Sequence, residues 1–146
     1  MDQALNRRVQ QACTWRSAGW CGNRSRRIAG FGSRGHRTRE LNDPTAHAEI
    51  LAIRAACAAA GSERLIGHDL YVTLEPCPMC AAAIAFARIG RLYYGASDPK
   101  SGGVAHGARV FDLAQTHHAP EVYDGLAESE SADLLRQFFA DRRSES

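Results

Sequence analysis

DLYVTLEPCPMCAAAIAFARIGRLYYGA, residues 69–96, is the stretch that decides the fold class. Asp69 to Leu74 has the β-branched and aromatic content of a short buried strand, and Pro76 breaks it before Cys77. Pro78 suits the first turn of a helix, which then runs to about Ala87. Arg91 to Tyr94 reads as a second strand ended by Gly95. Two strands joined by a helix favour parallel pairing with a right-handed crossover, so an α/β sheet with helices packed on it is expected. Working outward, Asp43, Pro44 and Thr45 mark a helix start, and Ala46 to Ala60 carries strong helix formers that stop at Gly61. Beyond the core stretch, Ser101 to Gly107 reads as a glycine-rich loop, and Val122 with Tyr123 as a short further strand. Ala132 to Arg142 places Leu134, Leu135, Phe138 and Phe139 on one helix face.

Residues 6–35 read differently. They are rich in arginine and glycine, show no apolar alternation, and hold two tryptophans without periodic context, so poor packing is expected there. The chain's 146 residues suit one domain, and no apolar run is long enough to cross a bilayer. No membrane role is indicated. The N-terminus lacks the basic, apolar and small-residue order of a secretory signal, which points to the cytoplasm. Five cysteines, an odd number in a reducing compartment, favour metal ligation or burial over disulfides. The net charge of +2 is too small to announce a nucleic-acid partner.

The chemistry concentrates at two places. His47-Ala48-Glu49 falls in the first turn of one predicted helix, and Pro76-Cys77-Pro78-Met79-Cys80 at the strand-to-helix turn thirty residues later. One imidazole and two thiolates make three ligands of a tetrahedral Zn2+ site, one ion per chain, and leave the fourth position to water, as a catalytic site requires. Zinc lowers the pKa of that water toward neutrality. Both thiolates gain from a helix N-terminus, where unpaired N–H groups favour negative charge. Glu49, two residues past His47, is placed to approach that water without ligating the metal, the position of a proton shuttle.

Other readings compete for each half. A Cys-x-x-Cys opening a helix after a strand also describes a thioredoxin-like redox pair, but such a pair has no use for the upstream His-x-Glu. A structural zinc site needs a fourth protein ligand. His68, His106, His117 and His118 are better read as surface or loop histidines, and Cys57 as a buried apolar thiol.

His-x-Glu followed by Pro-Cys-x-x-Cys is the signature of zinc nucleobase deaminases. The runs Asn42 to Ile50 and Thr73 to Cys80, continued by Ala87 to Arg91, Tyr94 to Gly102 and the C-terminal Phe138 and Phe139, resemble the bacterial tRNA adenosine deaminases of the cytidine deaminase superfamily. The likeness spans roughly three quarters of the chain. It implies a three-layer α/β/α fold with a mixed sheet over residues 36–146. It further implies a homodimer that converts adenosine to inosine at the wobble position of an arginine tRNA. The base would be flipped out into the zinc site, with anticodon-loop contacts from Asp98, Lys100, Phe138 and Phe139. His36 stands where relatives usually have an asparagine that contacts the base. Two alternatives stay open: a deaminase of a free base or nucleoside of guanine or cytosine type, and an inactive zinc-binding module.

The last alternative arises from residues 1–35. The family normally opens with a helix and a hairpin whose first strand follows a Glu-Val-Pro-Val-Gly-Ala-Val-Ile-like run, whereas Arg16 to Asn23 stands here. Starting each codon one base later, Trp20 before Cys21 forces Gly, and Cys21 before Gly22 gives Ala or Val. Arg16, Ser17, Ala18, Gly19, Gly22 and Asn23 can give Glu, Val, Pro, Val, Val and Ile. Gly30 to Ser33 can likewise give Val-Leu-Ala-Ala. Translation of about residues 6–34 out of frame accounts for the departure, and two wall strands of the family fold are then expected to be missing.

Overall fold

The computed structural model describes residues 37–125 together with the backbone of a strand at Cys13–Ser17. In chain order the elements are β1 (Cys13–Ser17), α1 (Thr38–Leu41), α2 (Ala48–Ala60), β2 (His68–Leu74), α3 (Pro78–Phe86), β3 (Arg91–Ala96) and β4 (Glu121–Tyr123), with a 3₁₀ turn at Val110–Asp112. The sheet order is β1-β2-β3-β4. β2 pairs with β3, and β3 with β4, in parallel, while β1 runs antiparallel to β2, so the sheet is mixed.

Strand alternation sorts the sheet into two faces. Leu70 and Val72 of β2 lie beside Leu92 and Tyr94 of β3, and all four are buried. Against them pack Ala48, Ala52 and Ala56 of α2 and Ala81 and Ile84 of α3. The alanines let both helices approach the sheet closely, and the leucines and isoleucines supply most of the buried apolar surface. On the opposite face Tyr71, Tyr93 and Tyr123 stack across three strands, with ring centroids 4.6 and 4.8 Å apart. Asp69, on the same face, accepts a hydrogen bond of 2.8 Å from Arg91 and clips β2 to β3 at their start.

The core elements follow the sequence reading closely, with boundary shifts. α2 begins at Ala48 rather than Ala46, because Asp43 holds Thr45 in a separate turn through its Oδ1 (2.8 Å from the Thr45 N–H, 2.6 Å from its hydroxyl). His47 is therefore the N-cap of α2, with extended backbone at ψ 153. Gly61 ends the helix at φ 63, in the left-handed region that glycine enters without cost. β1 corrects an expectation: pairing begins within residues that showed no strand pattern. The free edge of β2 offers a row of N–H and C=O groups, and a backbone can pair with it whatever its side-chain order. The remainder of residues 1–36, including His36, lies outside the described residues. So do the Ala132 to Arg142 segment read as a helix and its Phe138 and Phe139. Among the described residues, no helix is long and apolar enough to cross a membrane.

Candidate metal and catalytic site

The two halves of the motif meet where two helices begin. His47 caps α2 and Cys77 caps α3, with Pro78 at the first helical position and Cys80 two residues further on. Nδ1 of His47 lies 3.7 Å from Sγ of Cys77 and 3.6 Å from Sγ of Cys80. Tetrahedral zinc with Zn–S of about 2.3 Å and Zn–N of about 2.0 Å sets its sulfur and nitrogen ligands about 3.5 Å apart. The three side chains thus already stand at ligand spacing for one tetrahedral ion. They form the candidate metal cluster found among the described residues. None of His68, His106, His117 and His118 joins it. His68 and His118 bond through their rings to the Ile66 and Ile89 carbonyls, and His106 to Glu75. Among the described residues the cluster has three protein ligands, the number that a catalytic zinc site uses.

The electrostatics suit a cation. The Cys77 thiol is held down to about 5, first by the hydrogen bond it accepts from Cys80, against burial, with help from the N–H groups of Cys80 and Met79 in the first turn of α3. Cys80 is pushed up by that same shared bond and by burial, so it keeps the pair's proton until a cation displaces it. Glu49 lies in the first turn of α2, 8% exposed, with its carboxyl group beside Cys80. Burial, ahead of every other cause, pushes its carboxyl above the usual carboxylate range, and the negative charge of Cys77 adds to this. A carboxylate raised in this way is suited to take a proton and give it back.

Behind the metal turn stands a residue that sequence reasoning missed. Glu75 directly follows β2, with its side chain fully buried. Its Oε1 accepts the backbone N–H groups of Val104, Ala105 and His106 at 3.2, 2.8 and 3.0 Å. Its Oε2 accepts the Asp98 N–H at 3.0 Å and meets Nδ1 of His106 at 2.7 Å. Asp98 in turn accepts the N–H groups of Lys100 and Ser101 through Oδ1, at 3.1 and 2.9 Å, and Lys100 is exposed. The signal that could have found Glu75 is a lone carboxylate closing an apolar strand, directly before Pro76 and Cys77.

A model of the MafB19-like deaminases matches residues 6–143. A tRNA-specific adenosine deaminase of Agrobacterium fabrum is 71% identical over 109 residues, which cover 75% of this chain and 72% of that protein. The chain belongs to the tRNA-specific adenosine deaminase family. Another member, from Bacillus subtilis, is 42% identical over 112 residues, 76% of this chain and 70% of its own. A solved structure from a study of A-to-I editing by tRNA:A34 deaminases at the wobble position superposes with a TM-score of 0.74 and 59% identity, covering 84% of this chain and 83% of the other. A guanine deaminase from Nitrosomonas europaea, 23% identical with a TM-score of 0.60 over 71% of this chain and 62% of its own, shares the fold alone. As a family member the chain is an enzyme, a hydrolytic deaminase with a cytidine deaminase-like α/β fold.

Proposed function

We propose that this chain converts adenosine to inosine at the wobble position of a tRNA, using one zinc ion held by His47, Cys77 and Cys80. The observation that carries the reading is the ligand spacing of those three side chains with the buried Glu49 beside Cys80. The substrate class is supported by relatives named for that reaction. When bound, zinc supplies a water nucleophile at neutral pH. Glu49 would accept a proton from the attacking water and pass it to the ring nitrogen next to the carbon under attack. It would then take the proton of the hydroxyl newly joined to that carbon and pass it to the exocyclic amine as the carbon–nitrogen bond breaks, so that water and adenosine become inosine and ammonia. The burial of Glu49 keeps bulk water from competing for these protons.

The adenine enters flipped out of the anticodon loop, the route open to a deaminase whose reacting atom is otherwise enclosed by stacking. Asp98 and Lys100 on the loop after β3, with His36, Phe138 and Phe139, are proposed to receive the neighbouring nucleotides. The active form is proposed to be a homodimer. Phe86, at the end of the helix that carries Cys80, is 80% exposed and is proposed to lie in that interface. A cytoplasmic location agrees with a tRNA substrate and with free thiols at Cys57, Cys77 and Cys80.

Residues 1–35 are proposed to be an atypical segment, read out of frame over about residues 6–34, and residues 36–146 to be the deaminase domain. The nucleotide sequence tests this: a stop codon in the shifted frame, or failure to encode the expected run, refutes it. For the reaction itself, the zinc-loaded protein is given an arginine tRNA anticodon stem-loop beside free guanine and cytidine. Inosine in the stem-loop with no turnover of the free compounds supports the proposal. Turnover of guanine or cytidine without the stem-loop moves the activity to the free-base or nucleoside class.

A further inference from the structure

The loop 98–106 is wrapped around one side chain. Glu75 accepts N–H groups from both ends of that loop, at Asp98 and at Val104 to His106, and takes the His106 ring on its second oxygen. A buried carboxylate that accepts several N–H groups is strongly directional, because each donor left without it would be stranded away from water. The same loop is pressed onto the metal turn. Gly103 donates its N–H to the Pro76 carbonyl at 2.8 Å, and a Cβ at Gly103 would stand 2.5 Å from the Pro78 nitrogen and 2.8 Å from the Cys77 carbonyl carbon. Gly102 is equally tight, its Cβ position lying 2.5 Å from Glu75 Cδ. One face of this unit therefore ends at a candidate metal ligand, Cys77, and the other at the exposed Lys100.

We propose that Glu75 is a positioning residue that locks the loop 98–106 in register with the Cys77 turn, so that the surface receiving the RNA is held fixed relative to the reacting carbon. Its link to RNA rests on the wobble-adenosine reading above; its hold on the loop does not. Glu75→Gln keeps the size of the side chain but replaces one acceptor oxygen with an amide NH2, a donor set against N–H donors. His106→Ala is the milder companion, removing one contact to Oε2 and leaving β2 untouched.

Both variants of the full zinc-loaded chain are compared with the parent by amide hydrogen exchange and by steady-state kinetics on the anticodon stem-loop. In Glu75→Gln, exchange at Asp98 and at Val104 to His106 should quicken by about tenfold or more while α2 amides hold their protection, the size expected for losing charge-assisted bonds. KM for the stem-loop should rise about tenfold with kcat changed far less, since ground-state contacts are lost and the proton shuttle is intact. His106→Ala should move both readouts the same way by less, and Glu75→Asp should restore part of each. A residue that merely stabilises the fold would lower the active fraction and so kcat, with KM unchanged; that result, or unchanged exchange in the loop of both variants, overturns the proposal. If the parent turns over no stem-loop, the wobble reading fails, and the exchange data alone decide whether Glu75 holds the loop.

Discussion

Nδ1 of His47 and Sγ of Cys80 stand 3.6 Å apart although thirty-three residues separate them, and this distance is set by two helix N-termini meeting edge to edge. Because the spacing matches a tetrahedral ligand pair, the purified chain should carry one zinc per molecule, read by elemental analysis. Cys77→Ala should lose it, since two ligands cannot hold the ion against a chelator. Full zinc content in Cys77→Ala, or a fourth protein ligand in a zinc-bound structure, moves the site out of the open catalytic class.

Gly103→Ala should damage the metal site without touching a ligand. The atoms its methyl group meets are backbone atoms of Cys77 and Pro78, which cannot rotate away. Overpacking of this kind costs about 1–3 kcal/mol, and the strain falls on the metal turn. Zinc release to a chelator should quicken together with a fall in melting temperature. Equal zinc retention and stability would mean that the loop yields more easily than its bonding to Glu75 implies.

Asp43 supplies a pH signature. Its carboxyl is held below the ordinary value, first by the Thr45 hydroxyl and then by the Thr45 N–H, with a smaller contribution from Arg54 at 3.7 Å. A depressed folded-state pKa gives stability that is present above the unfolded value of about 3.9 and lost as pH falls through the lower folded one. The melting temperature of the parent should therefore exceed that of Asp43→Asn at pH 7, and the gap should close below about pH 4. Zinc loss at low pH affects both proteins and cancels in the difference. A gap that persists or widens in acid contradicts the assignment.

Phe86→Glu should separate the subunits. Burying one phenylalanine contributes about 1.5–3 kcal/mol, so a charge at Phe86 in the proposed dimer interface should weaken association by about tenfold or more. Sedimentation should show the parent as a dimer and the variant shifted to monomer, with zinc retained. A parent that sediments as a monomer at micromolar concentration removes the dimer from the account.

Much of this architecture was legible because it is local. The strand from His68 to Leu74, the Pro78 helix and the turns that carry His47 and Cys77 all lie within residues whose periodicity and punctuation agree with the tertiary structure. Glu75 was not legible, since its role consists of bonds to residues 23 to 31 positions away, and a single glutamate at a strand end carries no periodic signal. β1 was hidden for the opposite reason: its pairing is written in the backbone of β2, not in its own side-chain order. Asp98, met in the sequence as a ligand for RNA, also serves its own turn by accepting two N–H groups there, a dual duty that the Asp-Pro-Lys-Ser run permits.

The most direct test of the central claim is inosine formation at the wobble position of an arginine anticodon stem-loop by the zinc-loaded chain and its Glu49→Gln form. The comparison is repeated in a version carrying the in-frame N-terminal residues. Glu49→Gln keeps the shape of the side chain and should keep the zinc, but it cannot accept and relay protons. General acid–base catalysis contributes about 10²–10⁴-fold, and one group serving several transfers places the expected loss at the upper end of that range or beyond. An active parent with a zinc-loaded Glu49→Gln form that falls by this factor is the predicted result. A Glu49→Gln form that keeps most of the parent's rate contradicts the account.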